Sequence, residues 1–132
     1  MKLNIFNNEF GEANLGSLLP IELNQLPFIP KRIFLVKDVP TGVIRGEHAH
    51  FKTQQLLVCL RGKIKVNLHD GKNLTSSILE ENETIFVDKM IWDSQEFLTY
   101  DSILLSLAST NYDKSDYIED FDLFTTLTKD SK

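Results

Sequence analysis

The sequence predicts an all-β domain, an antiparallel barrel or sandwich with one short C-terminal helix. Three observations carry this expectation. Apolar residues fall in short segments of strand length, polar turns separate those segments regularly, and no long amphipathic helical period runs through the 132 residues.

The elements follow in order. Arg32-Ile-Phe-Leu-Val36 is bracketed by Pro27 and Pro30 before it and Pro40-Thr-Gly42 after it, which marks a strand. Gln54 to Leu60 reads as a buried strand because its apolar run is continuous. Lys63 to Leu68 alternates, with Ile64, Val66 and Leu68 on one side and Lys63, Lys65 and Asn67 on the other. Asp70-Gly71 then supplies the positive-φ position of a hairpin turn. Ser76 to Leu79, Thr84 to Val87 and Ile103 to Leu107 are further strands, separated by turns such as Glu80-Glu-Asn-Glu83. Near the end, Tyr117, Phe121 and Phe124 recur at helical intervals within Asp113 to Phe124, so one short helix or helical turn packs there. Thr125 to Lys132 is polar and expected to fray.

The totals narrow the class. Residues 1–132 make one domain with one core. Apolar content of 42% and charged content of 25% are ordinary for a globular protein. A net charge of -5 with scattered Lys and Arg leaves no electrostatic footprint for nucleic acid. No apolar run approaches the roughly 20 residues of a membrane span. Met1-Lys-Leu-Asn-Ile-Phe6 has no signal-peptide core, so the cytoplasm is the expected compartment. The single cysteine, Cys59, lies in Leu56-Leu-Val-Cys-Leu60 and reads as a buried thiol rather than a nucleophile.

Gly42-Val-Ile-Arg-Gly-Glu-His48-Ala-His50, followed by Gln54, Gln55 and Gly62, is the segment that carries chemistry. Histidines at i and i+2 of a strand project from the same face, which sets two imidazoles side by side. Their unperturbed pKa lies near working pH, so the pair could hold a metal or move protons. The neighbours argue against a metal. Two histidines and a neutral amide make a weak transition-metal set, since no carboxylate supplies charge and a hard ligand. His69, the remaining histidine, sits beside the Asp70-Gly71 turn and is poorly placed to join the pair. A purely structural role for both is disfavoured because burying two ionisable groups on one face is costly.

The order glycine, five residues, His-x-His, then glutamine and glycine resembles the first motif of the cupin superfamily. Metal-binding cupins carry a glutamate where this chain has Gln54 and Gln55, and a downstream histidine where it offers Asp93. A narrower resemblance rests on Leu26-Pro-Phe-Ile-Pro-Lys-Arg32, on Arg45-Gly46-x-His48-Ala49-His50-x-Lys52-x-x-Gln55, on Trp92-Asp93, and on Leu107-Ala-Ser-x-x-Tyr112-Asp-x-Ser-Asp116-Tyr117-Ile. Together these strings are similar to the sugar 3,4-ketoisomerases, over most of the chain from Leu26 to Phe124.

That resemblance implies a cupin jelly roll without metal or other cofactor, acting on dTDP-4-keto-6-deoxy-glucose in deoxyamino-sugar synthesis. It also implies a homodimer with exchanged N-terminal strands. The chemistry suits the residues. The C3 hydrogen of a 4-keto sugar is α to a carbonyl, so a base can remove it. Reprotonation of the enediol at C4 leaves the ketone at C3, and hydrogen moves only as protons. His48 is the expected base and His50 the partner acid or enediol donor, although sequence alone does not order the two. Arg45 is expected on the pyrophosphate or a sugar oxygen, against the alternative of a solvated arginine. Lys52 could add charge for the diphosphate or be an exposed strand lysine. Of Gln54 and Gln55, one points inward to bind sugar, and Gln54 is taken as the substrate-binding one. Trp92 either stacks on the sugar or base, the reading adopted, or packs in the core. Tyr112 and Tyr117 are expected as packing and dimer contacts. One departure stands out: the family carries tyrosines in the strand before the histidine motif, where this chain reads Phe34-Leu35-Val36-Lys37.

Competing readings are a cupin 3,5-epimerase, a metal-dependent oxygenase and a non-catalytic cupin that binds a sugar nucleotide. The epimerases use a His-Asp pair with a catalytic tyrosine, which fits His-x-His poorly. The glutamines disfavour the oxygenase.

Overall fold

The computed structural model describes residues 2–3, 10–12 and 14–129. Its strands are β1 (Lys2–Leu3), β2 (Phe10–Glu12), β3 (Gly16–Leu18), β4 (Arg32–Val36), β5 (Ile44–His50), β6 (Gln55–Arg61), β7 (Ile64–His69), β8 (Leu74–Leu79), β9 (Thr84–Val87), β10 (Trp92–Phe97), β11 (Ile103–Ala108) and β12 (Tyr117–Ile118). The helix α1 spans Phe121–Lys129, and 3-10 turns lie at Leu23–Gln25 and Lys114–Asp116.

Two five-stranded antiparallel sheets form, in the orders β1-β9-β6-β11-β4 and β12-β5-β10-β7-β8, beside a small β2-β3 ribbon. From β4 to β7 and from β8 to β12 each strand lies in the opposite sheet from its predecessor, while β7 and β8 pair directly as a hairpin. That alternation is a jelly roll, as expected. The two sheets stay separate rather than joining by hydrogen bonds into a closed barrel. No helix among the described residues is long and apolar enough to cross a membrane.

Between the sheets lies a core of Leu57, Cys59, Ile64, Val66, Leu79, Ile85, Val87, Phe97 and Leu104. These are the alternate residues of their strands, so period-two patterning places them. The opposite face of β6 and β11, with Leu56, Val58 and Leu107, is covered by Leu19, Ile21, Leu26 and Phe28 of the segment before β4. A third cluster of Ala49, Ile118 and Phe124 lies under α1 and includes Trp92. The Asp70-Gly71 turn forms as expected: Asp70 Oδ1 accepts from Lys72 N and Asn73 N, both at 2.8 Å. Gly71 has φ +103°, and a Cβ there would stand 2.1 Å from Thr128 Oγ1, so α1 docks directly on the turn.

The ending differs from expectation. Tyr117 is not helical: Tyr117–Ile118 pairs with His50 and Ala49 as a strand. The helix starts only at Phe121, where the Asp120 carboxylate caps it by accepting from Asp122 N at 2.9 Å and Leu123 N at 3.3 Å. It then runs to Lys129 rather than fraying from Thr125, because Phe124 and Thr128 are buried beneath it. Residues 130–132 of the expected frayed tail lie outside the described residues.

Phe97 is fully buried, so Phe97→Ala is expected to lower unfolding free energy by about 3–5 kcal/mol in urea titrations. Tyr100→Ala, at an exposed turn, should change it by less than about 0.5 kcal/mol. Similar losses in the two variants would contradict this core assignment.

Candidate active site

Paired residues in antiparallel strands share a face, so the strand registers map the inner walls. Across the first sheet, Arg32, Ala108 and Gln55 stand in one row and Phe34, Ser106 and Leu57 in the next. Val36, Leu104 and Cys59 follow. Across the second sheet, His50 pairs with Tyr117, and His48 with Asp93, which in turn faces Leu68. Phe97 and Ile64 pair at the far end. The interior therefore has an apolar floor and a polar end. His48, His50, Gln55, Asp93, Arg32 and Ser106 belong to the polar end.

A bulge shapes this end. The register between β5 and β10 shifts between Asp93 and Ser94, leaving Glu47 as the extra residue with φ 63°. Gly46 beside it has φ +87°, and a Cβ there would lie 3.1–3.2 Å from the Gln95 carboxamide and the Asp93 carbonyl, so a side chain is excluded. Beyond the bulge Arg45 pairs with Gln95, which returns it to the face that carries His48.

The two imidazoles lie edge to face with centroids 5.0 Å apart. Tyr117 packs against both, at 5.0 Å from His48 and 4.4 Å from His50. His50 is fixed from three sides. Its Nδ1 donates to Asp116 Oδ2 at 3.2 Å, and the amide of Gln55 approaches its Nε2 at 3.4 Å. Met90 N donates to its backbone carbonyl at 2.8 Å. Asp116 is itself anchored. It accepts from Lys52 N at 2.7 Å, from Thr53 N at 3.2 Å and from the Thr53 hydroxyl. An acceptor at Nδ1 fixes the tautomer of His50 and leaves Nε2 as the lone-pair nitrogen. Among the described residues no side chain ties His48 down in this way.

Both histidines are held neutral. Burial, then the neighbouring His50, pushes His48 down to about 4, while a backbone hydrogen bond at Gly46 acts weakly the other way. Burial also lowers His50; Asp116 opposes that shift and the Arg32 charge adds to it. Burial alone would raise Asp116, yet the donors from Thr53, Lys52 and His50 hold it below the usual carboxylate value. Asp93 is wholly buried, which pushes it up to about 7 despite the hydrogen bond from Gln95 Nε2. Among the described residues its other oxygen, Oδ2, has no hydrogen-bond partner, and neither do Arg32 Nε and Ser106 Oγ.

The expected site residues are thus partly assembled. His48 and His50 meet as expected. Arg45 and Lys52 are both exposed; Lys52 follows the histidine pair, whereas Arg45 lies beyond the bulge, toward the Phe97 end of β10. Gln54 does not join them: its amide turns outward to Asp88 Oδ1 at 2.9 Å, and strand alternation aims Gln55 at His50 instead. Trp92 is also corrected. It precedes the inward Asp93, so it points out of the sheet and packs on Phe121 and Phe124 at 5.2 and 5.7 Å. Its core alternative is the one the structure shows. His69 stays apart, accepting from Gly71 N at 2.9 Å. Sequence reading missed Asp116 and Thr53 as the clamp on His50, and Arg32 as an inward cation; Tyr117 packs as expected, but onto the histidines themselves. No group of three or more His, Cys, Asp or Glu able to hold a metal occurs among the described residues.

A jelly roll whose polar end centres on a pair of neutral histidines defines a cupin-type small-molecule site. The family model "FdtA: WxcM-like, C-terminal" matches residues 2–129, and the chain belongs to that family. It is 37% identical over 111 residues to the TDP-4-oxo-6-deoxy-alpha-D-glucose-3,4-oxoisomerase of Aneurinibacillus thermoaerophilus, covering 83% of this chain and 80% of that one. Among solved structures, a 3,4-ketoisomerase from Helicobacter canadensis matches with TM-score 0.90 and 35% identity, over 98% of this chain and 97% of that chain. A sugar 3,4-ketoisomerase from Thermoanaerobacterium thermosaccharolyticum in complex with TDP matches with TM-score 0.91 and 28% identity, over 99% and 95% of the two chains. A mutant of that enzyme is known in complex with TDP-4-keto-6-deoxyglucose.

The pH dependence of stability follows from Asp93 and His48. Asp93 keeps its proton to about 7 when folded, against 3.8 unfolded, so its contribution falls as pH rises across that window. His48 has the reverse slope, gaining stability between about 4 and 6.5. Asp93→Asn removes only the first slope. Relative to wild type, its melting temperature should therefore rise more at pH 8 than at pH 5, and an equal difference at both would contradict the burial argument.

Proposed function

We propose that this chain is a sugar 3,4-ketoisomerase that converts a dTDP-linked 4-keto-6-deoxy hexose to the 3-keto sugar through an enediol. The observation that carries this reading is the neutral histidine pair, with one ring clamped and its neighbour unclamped, at the open polar end of a jelly roll. The likeness to named 3,4-ketoisomerases supports it.

The geometry divides the labour. His48, whose ring has no side-chain hydrogen bond, takes the C3 proton as general base. The electron pair moves into a C3–C4 double bond and the C4 oxygen takes up negative charge. As positive charge develops on His48 and negative charge on the sugar, each stabilises the other more strongly than in water, because the site is buried. Protonated His48, open to exchange with water, then returns a proton to C4 while the proton leaving O3 reaches O4, and the carbonyl re-forms at C3. His50, held in one tautomer by Asp116, exchanges a proton with the sugar oxygens through Nε2. Gln55 orients that nitrogen. The strand β4 carries no tyrosine, and its inward Phe34 shapes the wall and moves no proton. The exposed Arg45 and Lys52 serve the diphosphate.

We also propose that the single domain works in the cytoplasm, in synthesis of deoxyamino sugars for a surface glycan, as a homodimer. Exposed Ile33 and Leu35 on the edge strand β4 supply an apolar face for a second copy. With exchanged N-terminal strands, β1 would pair with the β9 edge of that copy; most of the expected exchanged segment lies outside the described residues.

The test is NMR of dTDP-4-keto-6-deoxy-glucose with the protein in heavy water. Migration of the ketone to C3 with deuterium at C4 is expected, whereas deuterium at C5 without migration would indicate an epimerase. His48→Asn should reduce ketone migration at least about 10³-fold while TDP binding, by calorimetry, survives. Near-normal turnover in that variant would refute the role given to His48.

A further inference from the structure

Arg32 poses a problem that the proposed reaction leaves unsolved. It lies on the inner face of β4, in the same row as Ala108 and Gln55, and Gln55 reaches His50. The described residues give its guanidinium no hydrogen bond and no ion pair, and its Nε is buried without a partner. Its contacts are aromatic: the guanidinium carbon lies 5.5 Å from the Phe34 ring centroid and 5.6 Å from that of Tyr112. Tyr112 packs 5.9 Å from Tyr117, the ring that touches both histidines. A continuous aromatic wall therefore joins Arg32 to the reacting pair. An inward arginine without an anion is costly unless something anionic arrives.

We propose that Arg32 is a substrate-contacting residue that stabilises the enediolate oxygen formed during ketone migration. The inference rests on the ketoisomerase reading and deepens it. An enediolate places a full negative charge inside the polar end. The histidines there are uncharged before reaction, Asp93 cannot help as an anion, and Gln55 and Ser106 are neutral. Arg32 is the cation of that inner wall, and its influence reaches His50. The aromatic faces of Phe34 and Tyr112 hold the planar group without competing for its donors, which leaves the fork for oxygen. Arg45 and Lys52 are exposed, whereas Arg32 lies on the inner face with its Nε buried, so the inner arginine is assigned to the sugar. The arrangement is that of an oxyanion site: fixed donors aimed where charge develops, strong because water is excluded.

The experiment compares wild type, Arg32→Gln and Arg32→Lys in two measurements: kcat for ketone migration by NMR, and the Kd of TDP by calorimetry. Arg32→Gln is expected to lower kcat by about 10²–10³-fold with the Kd of TDP changed less than about twofold. Arg32→Lys, which keeps the charge but not the fork, should recover at least about tenfold of that loss. A tenfold weaker TDP with kcat preserved would assign Arg32 to the diphosphate and overturn the proposal. Equal losses in the two variants would give it a structural role only, with the same effect. A third measurement does not depend on turnover: the His50 ring titration should move upward in Arg32→Gln, and an unmoved titration places the guanidinium away from the reacting end and overturns the assignment. Failure of the wild-type protein to move the ketone would refute the ketoisomerase reading itself, whereas wild-type turnover with unchanged kcat in Arg32→Gln refutes the arginine's role alone.

Discussion

The Asp116 carboxylate is the interaction on which the site depends. It receives the backbone amides of Lys52 and Thr53, the Thr53 hydroxyl and the His50 ring, and so joins three pieces of chain at one point. Phe51 N donates back to its carbonyl at 2.9 Å, and the following residue, Tyr117, pairs with His50. The link is mutual. Without the strand pairing of β12, Asp116 would not reach the β5–β6 loop; without the loop amides, the carboxylate would be buried beside a neutral imidazole with too few donors. Charge-assisted hydrogen bonds of this kind are stronger than neutral ones, so the cluster offsets the cost of burying a carboxylate. It also sets the tautomer of His50.

The interior is divided by chemistry rather than by shape. At the floor, Val36, Leu57, Cys59, Ile64, Phe97 and Leu104 pack as a core normally does. At the other end the same strands present Arg32, Gln55, His48, His50, Asp93 and Ser106, and several polar atoms there lack partners. Orphaned buried polar groups destabilise a fold by about 1–3 kcal/mol each. Their grouping at one end is the signature of a site kept for a polar ligand, and stability is given up there. Cys59 shows the contrast. Burial pushes its thiol up to about 12, which makes it an inert member of the floor.

How much of this was legible in the sequence depends on how local the signal is. The antiparallel barrel or sandwich came through because apolar strands alternate cleanly, as in Ile64, Val66 and Leu68, whereas the jelly roll itself came from the resemblance to cupins. The histidine pair came through because i and i+2 spacing fixes a common face. Trp92-Asp-Ser-Gln-Glu-Phe97 did not read as a strand, because its inward residues Asp93 and Gln95 are polar and mask the period. The same alternation, once seen, sends Trp92 outward and explains its packing under α1. Gln54 and Gln55 could not be separated until β6 had a starting residue. Asp116 is 66 residues from His50 in sequence, and no local pattern connects a carboxylate in a tyrosine-rich ending to a histidine on a distant strand. Arg32 was visible only as part of a family-like string, since an inward arginine and an outward one look the same without a register.

Neutrality is what makes the arrangement suited to moving protons. A metal between His48 and His50 would need a charged ligand to hold it; the Gln55 amide that approaches His50 Nε2 is neutral, and the Asp116 carboxylate is engaged at the other ring nitrogen. Neutral imidazoles cost less to bury than imidazoliums, and each can accept a proton without first losing one. The residual demand is for positive charge at the moment the sugar becomes anionic. The inward guanidinium of Arg32 is the group proposed to meet that demand. The jelly roll sets the histidine pair on β5 and the inward arginine on β4, in facing sheets, so the two kinds of group meet across the polar end.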